Sequence, residues 1–322
     1  MRRKCRAPAL AFAPTVTSAS AIAPARGFAV SRAFAAAVGF AAVLTGLWPL
    51  AASAQGSQPG SAPVRPVTEP VTSGFNIFRR LAGGSGGAEA NKAALLAAYP
   101  GAFRFEGNHA VFPSGTRIVW DDGRTKSPDQ LLTDPDLEDM FHYPYPAGAG
   151  ISPPGRDQDP GRIRNDTFFR ALYGASEGDV RSTLVAVPWV PSLGGGRLMV
   201  TRRFGVDRQL SRVSAELERL PPQFHTFLVP SAGTFNWRAI AGTNRMSVHS
   251  FGAAIDINTR HTNYWRWDAG NGGGTLPYKN KIPLEVVKIF EKYCFVWGGR
   301  WYHYDTMHFE YRPELLPDCR RN

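Results

Sequence analysis

Residues 247–257 read SVHSFGAAIDI and contain a histidine and an aspartate around a glycine. His249 and Asp256 lie seven residues apart, too far to be neighbours on one helical turn. We therefore expect a strand, a bend near Gly252 and a second strand, so that the chain reversal brings the two side chains together. Asp256 lies between two isoleucines, and an ionised carboxylate in such an apolar strand requires a cation or a metal beside it.

A second histidine-bearing segment reads GGRWYHYDTMHFE and covers residues 298–310. Asp305 and His308 lie three residues apart, a spacing that places both side chains on one side of a turn. Two imidazoles, one carboxylate and an open fourth position make a catalytic zinc site. A second carboxylate beside the metal supplies what hydrolysis needs, a group that takes a proton from water and returns it to the leaving amine.

Together the two segments resemble the M15 zinc peptidases of bacterial cell walls, which include D-Ala-D-Ala carboxypeptidases and L-alanyl-D-glutamate endopeptidases. The shared pattern is Ser-x-His-x-x-Gly-x-Ala-x-Asp followed by Gly-Gly-x-Trp-x-x-x-Asp-x-x-His-Phe. The resemblance extends over residues 224–309. The second motif has aspartate at position 305, where other branches of the family have glutamate, and in this it is similar to the endopeptidase branch. The resemblance implies that His249, Asp256 and His308 bind one zinc ion. It also implies that Asp305 is the general acid and base.

Residues 233–243 resemble the family segment that carries a substrate-binding arginine. This resemblance implies that Arg238 binds a substrate carboxylate or polarises the scissile carbonyl, for which a planar guanidinium is well suited. Ser247 falls on the family's substrate-contacting serine. A structural ion pair is the alternative for Arg238, and a turn or strand role is the alternative for Ser247. Cys294 departs from the family pattern, in which we expect glycine.

Residues 1–54 differ in composition from the rest of the chain. They hold six basic residues and no acidic one, an apolar run over residues 33–50, and an Ala-Ser-Ala cleavage motif at residues 52–54. These three parts predict a cleaved secretory signal peptide, and an uncleaved anchor helix is the alternative. We therefore expect an exported protein of the periplasm or cell envelope, with no stable membrane span after cleavage.

The net charge supports this interpretation. The chain has 37 Lys and Arg against 26 Asp and Glu, a formal charge of +11. Removing the six basic residues of the predicted signal leaves +5, an ordinary charge for an exported protein. The basic composition therefore does not indicate nucleic-acid binding. The expected partners are peptidoglycan peptides, and we expect a monomer.

Two cysteines remain after the predicted cleavage. Cys294 and Cys319 form an even pair in an oxidising compartment, which predicts a disulfide; two buried free thiols are the alternative. Residues 55–75 are rich in Gly, Ser and Pro and predict a flexible linker. Residues 76–180 are expected to form an N-terminal extension that packs on or leads into the catalytic domain, and residues 181–322 the zinc peptidase domain.

The hydrophobic pattern favours an α+β fold, in which a small antiparallel sheet has flanking helices and the zinc site lies on the sheet and an adjoining loop. Helices are predicted over residues 91–99, 207–220 (with Asp207 as its cap) and 283–293. Strands are predicted over residues 111–112, 116–120, 184–190, 198–202 and 224–229. Residues 143–163 are dense in Pro and Gly and predict a long surface connection.

Several side chains near the motifs have two interpretations. The aromatic residues within 264–267 can wall a substrate groove, although packing over the core is favoured. Trp301 is expected to pack under the metal loop and His303 to lie at the surface or rim. Glu310 either supports the metal ligands or lies at the surface.

These observations predict a zinc-dependent peptidase that hydrolyses peptide bonds in peptidoglycan stem peptides. D-Ala-D-Ala carboxypeptidase and L-Ala-D-Glu endopeptidase activity both remain open. The alternative is a non-catalytic, zinc-stabilised cell-wall-binding module of the same fold. The presence of a base at Asp305 favours the enzyme.

Overall fold

Short helices alternate with small antiparallel sheets in the computed structural model, which describes residues 85–269 and 276–319. The predicted signal peptide over residues 1–54 and the predicted linker over residues 55–75 lie outside these ranges. The described part has helices, one two-stranded sheet and two three-stranded sheets, which confirms the α+β class. Within it, no helix combines the length and the apolar character needed to cross a membrane.

The N-terminal part of the described chain forms one helix and one sheet. Helix α1 (Ser85–Ala98) begins earlier than the prediction over residues 91–99 and ends before Pro100. Three antiparallel strands follow in chain order: β1 (Arg104–Glu106), β2 (His109–Val111) and β3 (Arg117–Val119). The two strands predicted around the Pro-Ser-Gly turn are therefore confirmed.

A second group of elements leads to a two-stranded hairpin. The helices are α2 (Pro128–Thr133), α3 (Asp166–Tyr173) and α4 (Glu177–Arg181). The hairpin pairs β4 (Leu184–Pro188) with β5 (Arg197–Thr201) in antiparallel register, as predicted. Asn165 caps α3 by accepting a hydrogen bond from the backbone of Phe168.

Helix α5 (Val206–Leu217) differs from its prediction at both ends. Gly205, with φ of 77°, precedes the first turn, so Asp207 lies within that turn and does not cap it. The helix ends at Leu217, three residues earlier than predicted, and its buried face packs on the β4–β5 hairpin.

The strand predicted over residues 224–229 is wrong. The chain instead forms a 3₁₀ helix over Pro222–Phe227. Its amides bond to carbonyls three residues earlier, as from Phe224 to Pro221 and from Leu228 to His225. These local bonds satisfy the backbone without a neighbouring strand.

The sheet that carries the predicted site forms in the C-terminal half. Its strands are β6 (Ala254–Asp256), β7 (Phe295–Trp297) and β8 (His308–Tyr311), in the order β6-β8-β7 and antiparallel. Two helices accompany them, α6 (Trp265–Asp268) and α7 (Leu284–Lys292), and α7 confirms the prediction over residues 283–293. Phe290 of α7 stacks on Phe309 of β8 with ring centroids 3.7 Å apart. Because side chains alternate along a strand, this packing fixes one face of β8 in the core and leaves the other for the site.

A disulfide joins Cys294 to Cys319, as predicted, and ties the end of the described chain to the start of β7. Cys294 has φ of 71°, in the left-handed region that favours glycine. The backbone at this position therefore explains why glycine is expected there in the family pattern.

The surface connection predicted over residues 143–163 is confirmed only in part, because residues 146–150 are exposed whereas the end of the segment is buried. Residues 143–164 form neither a helix nor a strand, yet Asp159 and Ile163 are buried. Trp301 donates from Nε1 to the Pro160 carbonyl at 2.8 Å. Partners from distant parts of the sequence satisfy this segment, so its Pro and Gly content gave no sign of its burial.

Candidate metal centre

Three side-chain atoms converge at the face of the third sheet. His249 Nε2 lies 3.2 Å from Asp256 Oδ1 and 3.1 Å from His308 Nδ1, and His308 Nδ1 lies 3.0 Å from Asp256 Oδ1. Tetrahedral zinc with bonds of about 2.0–2.1 Å separates its ligand atoms by about 3.3 Å. The three donors therefore have the separation that a small tetrahedral cation requires.

Local backbone geometry places each donor. His249 lies on a 3₁₀ turn over Val248–Phe251, not on the strand predicted before the bend. Ser247 caps this turn, accepting a hydrogen bond from the His249 amide at 3.3 Å, and Gly252 ends it with φ of 63°. A Cβ at Gly252 would lie 2.7 Å from Leu184 and 3.0 Å from the backbone of Thr201, so the turn fits only without a side chain there.

The pairing of β6 with β8 places the other two donors. Asp256 ends β6, His308 begins β8, and the two are direct cross-strand partners. The Ile257 amide donates to the Met307 carbonyl, so alternation makes Asp256–His308 a non-hydrogen-bonded pair. In such pairs the side chains of opposite residues are closest, which brings the carboxylate to the imidazole.

Both histidines have an acceptor at the ring nitrogen that faces away from the centre. His249 donates from Nδ1 to the Thr234 carbonyl at 2.6 Å, and His308 donates from Nε2 to Glu310 at 3.0 Å. A carbonyl and a carboxylate accept only, so each interaction keeps the proton on the remote nitrogen. The nitrogen that faces the centre then offers its lone pair, the arrangement found around metal-bound histidines.

Glu310 belongs to this support and is fully buried, which rules out the surface interpretation. Arg164 contacts its two carboxylate oxygens at 2.9 and 3.2 Å, and Arg312 contacts one at 3.1 Å. Burial opposes the charge of Glu310, but Arg164, His308 and Arg312 outweigh it and hold its pKa well below the usual range. Glu310 is thus a permanent carboxylate behind His308.

The electrostatics of the centre favour a positive charge. Burial disfavours the cationic form of His308, yet the hydrogen bonds to Asp256 and Glu310 raise its pKa to about 10. A divalent cation would supply the same positive charge between these carboxylates. The donor set and the local charge therefore both fit a metal ion.

Asp305 lies beside the donors on the loop before β8. Its Oδ1 is shielded from solvent and has no hydrogen-bond partner within residues 85–269 and 276–319. Burial, and then the charge of Asp256, raise the pKa of Asp305 to about 6. A Cβ at Gly298 would clash with the Asp305 carbonyl oxygen, so glycine is needed for the loop to hold this position. A shielded carboxylate with a pKa near neutrality suits a general base.

The two predicted substrate-binding residues lie on the wall of the same cavity, which has a volume of about 290 Å³. Arg238 is exposed, and in the described part of the chain its guanidinium makes no hydrogen bond or ion pair. Ser247 is buried and serves as the cap of the His249 turn. Of these two residues, Arg238 thus offers an unpaired guanidinium, whereas the Ser247 hydroxyl has a structural contact.

Other residues of the cavity wall were set aside or missed in the sequence. Tyr264 and Trp267 line it, and the Trp267 side chain is 63% exposed, so these aromatic residues wall a groove and do not only pack over the core. Trp301 packs beside the His308 ring at 5.6 Å, as predicted. His303 is a rim residue whose Nδ1 donates to Asp159 at 2.7 Å.

Two arginines from the upstream segment also reach the cavity. Arg162 and Arg164 lie on its wall, about 85 residues before the first donor in the sequence. They lie in the sequence Gly-Arg-Ile-Arg over residues 161–164. The sequence around them contains no signal that would have identified them.

Comparison with known proteins gives one family. Residues 241–311 match the family model described as D-alanyl-D-alanine carboxypeptidase, one of the M15 peptidases. The matched range contains all three donors and Asp305, whereas Arg238 and the segment over residues 143–164 precede it. The matched part of the chain is therefore similar to the M15 peptidases. No curated protein and no solved structure gave a significant match.

Proposed function

We propose that this protein is a zinc-dependent peptidase that cleaves peptide bonds in peptidoglycan stem peptides. The observation that carries the proposal is the convergence of His249 Nε2, Asp256 Oδ1 and His308 Nδ1 beside Asp305. These three atoms occupy one side of an open cavity, which leaves space for water and a peptide.

Zinc is the metal that this donor set favours. Two imidazoles and one carboxylate are the ligands of catalytic zinc sites, whereas magnesium and calcium prefer oxygen ligands alone. When bound, zinc supplies Lewis acidity and lowers the pKa of water to about 7.

The chain's own groups would carry the proton and position the peptide. Asp305 accepts a proton from the attacking water and delivers it to the leaving nitrogen as the carbon–nitrogen bond breaks. Arg238 provides a free guanidinium on the wall for a substrate carboxylate or the scissile carbonyl. The aromatic wall of Tyr264 and Trp267 provides a surface for the peptide on either side of the bond.

The proposed compartment and substrate agree with each other. Export to the periplasm or cell envelope would bring the enzyme to peptidoglycan, whose stem peptides carry free carboxylates. We propose a monomer without nucleic-acid partners. The bond is D-Ala-D-Ala or L-Ala-D-Glu, and aspartate at position 305 is the feature that favours the second.

Mass spectrometry of digested peptidoglycan tests the proposal. Purified protein should release muropeptide fragments that have lost a terminal D-Ala or have been cut after L-Ala, and the mass identifies the bond. A chelator should stop release, and added zinc should restore it. Undiminished cleavage in the chelator would overturn the zinc mechanism. Absence of either product would overturn the proposed substrate.

A further inference from the structure

Arg162 reaches the cavity from outside the segment that matches the family model. It lies on the segment over residues 143–164, whereas the match begins at residue 241. Its side chain is 14% exposed, so it is enclosed by the wall rather than extended into solvent.

The upstream segment and the rim hold this side chain in place. Arg162 Nη1 donates to the His303 carbonyl at 3.4 Å and lies 3.7 Å from Asp159 Oδ2. The guanidinium lies 5.8 Å from the centroid of the Trp301 ring, within range of a cation–π contact. Asp159 is itself fixed, because it accepts hydrogen bonds from the His303 amide at 2.9 Å and from its ring at 2.7 Å.

These contacts leave part of the guanidinium available. Within the described ranges, Arg162 Nη2 and Nε have no hydrogen-bond partner, although the side chain is mostly enclosed. A preorganised guanidinium with free donors is suited to a planar anion such as a carboxylate.

Arg162 is also close to the reacting groups. Arg162 and Asp305 line the same cavity as the three donor residues. Arg164 is neutralised by Glu310, whereas Arg162 has only the looser contact with Asp159. Its charge therefore remains partly available beside the metal centre.

The two candidate bonds share one chemical feature. In D-Ala-D-Ala, the residue that leaves as an amine has a free α-carboxylate because it ends the chain. In L-Ala-D-Glu, the leaving residue also has a free α-carboxylate, because stem peptides continue through its side-chain carboxyl group. A carboxylate next to the new amine is thus common to both substrates.

We propose that Arg162 binds this α-carboxylate and so determines specificity for peptides whose leaving residue carries one. The identity of the substrate rests on the proposed function, whereas the binding of a carboxylate by Arg162 can be measured separately. Asp159 and Trp301 act as positioning residues for the guanidinium.

Pairs of peptides that differ only in this carboxylate provide the test. Acetyl-L-Lys-D-Ala-D-Ala is compared with its C-terminal amide, and L-Ala-D-Glu extended through its side chain is compared with its α-amide. In the wild-type chain loaded with zinc, kcat/KM should favour the acid of the cleaved pair by about tenfold or more, as expected for a charge-assisted hydrogen bond. Arg162→Met should bring the acid-to-amide ratio close to one. Arg156→Met removes an exposed cation from the same segment and should leave the ratio unchanged.

A binding measurement separates this proposal from the proposed activity. The zinc-loaded Asp305→Asn protein should bind the acid about tenfold more tightly than the amide by calorimetry, and the added Arg162→Met change should abolish that preference. Failure of the wild type to cleave either pair would overturn the proposed function, while the calorimetric preference would still decide the role of Arg162. Equal binding of the acid and the amide would overturn the proposal that Arg162 binds the carboxylate. So would an acid-to-amide ratio of kcat/KM that Arg162→Met preserves and Arg238→Met abolishes.

Discussion

The family-matched segment over residues 241–311 and the upstream segment over residues 143–164 contribute to one cavity in different ways. The matched segment supplies the three donor atoms and Asp305. The upstream segment supplies no donor atom, but it provides Arg162 on the wall and Arg164 behind Glu310. The reactive groups therefore lie on a turn, two strand ends and a loop of one segment, and two of the charges around them come from a loop far away in sequence.

The largest expected effect concerns the matched segment. Asp305→Asn should lower kcat by about 10²–10⁴-fold, because the amide cannot accept the proton of the attacking water. Bound zinc should stay at the wild-type level, which metal analysis of the purified variant checks. Asp129→Asn, an exposed change in the first turn of α2, is the control. Wild-type turnover by Asp305→Asn would show that the base lies elsewhere.

The second effect tests whether the upstream segment supports the metal ligands. Arg164→Met breaks a buried ion pair with Glu310 and should destabilise the fold by about 3–5 kcal/mol. Because Glu310 orients His308, zinc affinity should also fall by about 10–100-fold. Denaturant titration and competition with a chelator measure the two effects. Arg164→Lys keeps the charge and should recover part of the stability and part of the zinc affinity. Unaltered zinc affinity in folded Arg164→Met would show that the upstream segment does not support the metal ligands.

Removing the disulfide should destabilise the fold about as much as Arg164→Met does, without altering the metal ligands. Replacing both Cys294 and Cys319 by serine opens a loop with a sequence separation of 25, which in the chain-entropy model costs about 3.5 kcal/mol. The melting temperature should fall, and reductant should lower it in the wild type but not in the variant. Zinc affinity of the folded variant should stay unchanged. A loss of zinc affinity as large as that of Arg164→Met would show that general destabilisation, not the Glu310 contact, weakens the site.

The smallest effect concerns the aromatic wall within the matched segment. Trp267→Ala removes an exposed indole from the groove and should raise KM by about two- to fivefold, with stability nearly unchanged. Steady-state kinetics on the cleaved peptide measure this. Trp301→Phe is the comparison, because Trp301 packs beside His308 and donates to the upstream segment and should therefore affect stability. A stability loss in Trp267→Ala without a change in KM would assign Trp267 to packing.

The same contrast explains how much could be predicted from the sequence. The α+β class, the β4–β5 hairpin, helix α7 and the disulfide follow from local patterns and compartment, and the structure confirms them. The sequence also predicted the residues that the structure brings together at the centre. These residues could be identified because only a short turn at Gly252 and a short loop before His308 separate them within each motif.

Other features depended on contacts that no local pattern encodes. The segment at residues 224–229 has the composition of a strand but no neighbouring strand, and it satisfies its backbone as a 3₁₀ helix. The burial of Asp159 and the position of Arg162 depend on partners about 140 residues later in the chain. Pro and Gly density correctly predicted irregular backbone at residues 143–164, but it contains no information on what that backbone packs against.

Asp256 and His308 are direct cross-strand partners, so the distance between these two donors depends on the register of β6 against β8. A slip of β6 against β8 by one residue would turn one of the two side chains to the opposite face of the sheet. Such a misfolded chain could not gather the donors, so zinc would bind the native register alone and stabilise it by mass action. The ion would then favour the native strand register during folding. Zinc supplied during refolding should therefore increase the yield of molecules in which β6 and β8 pair in the native register.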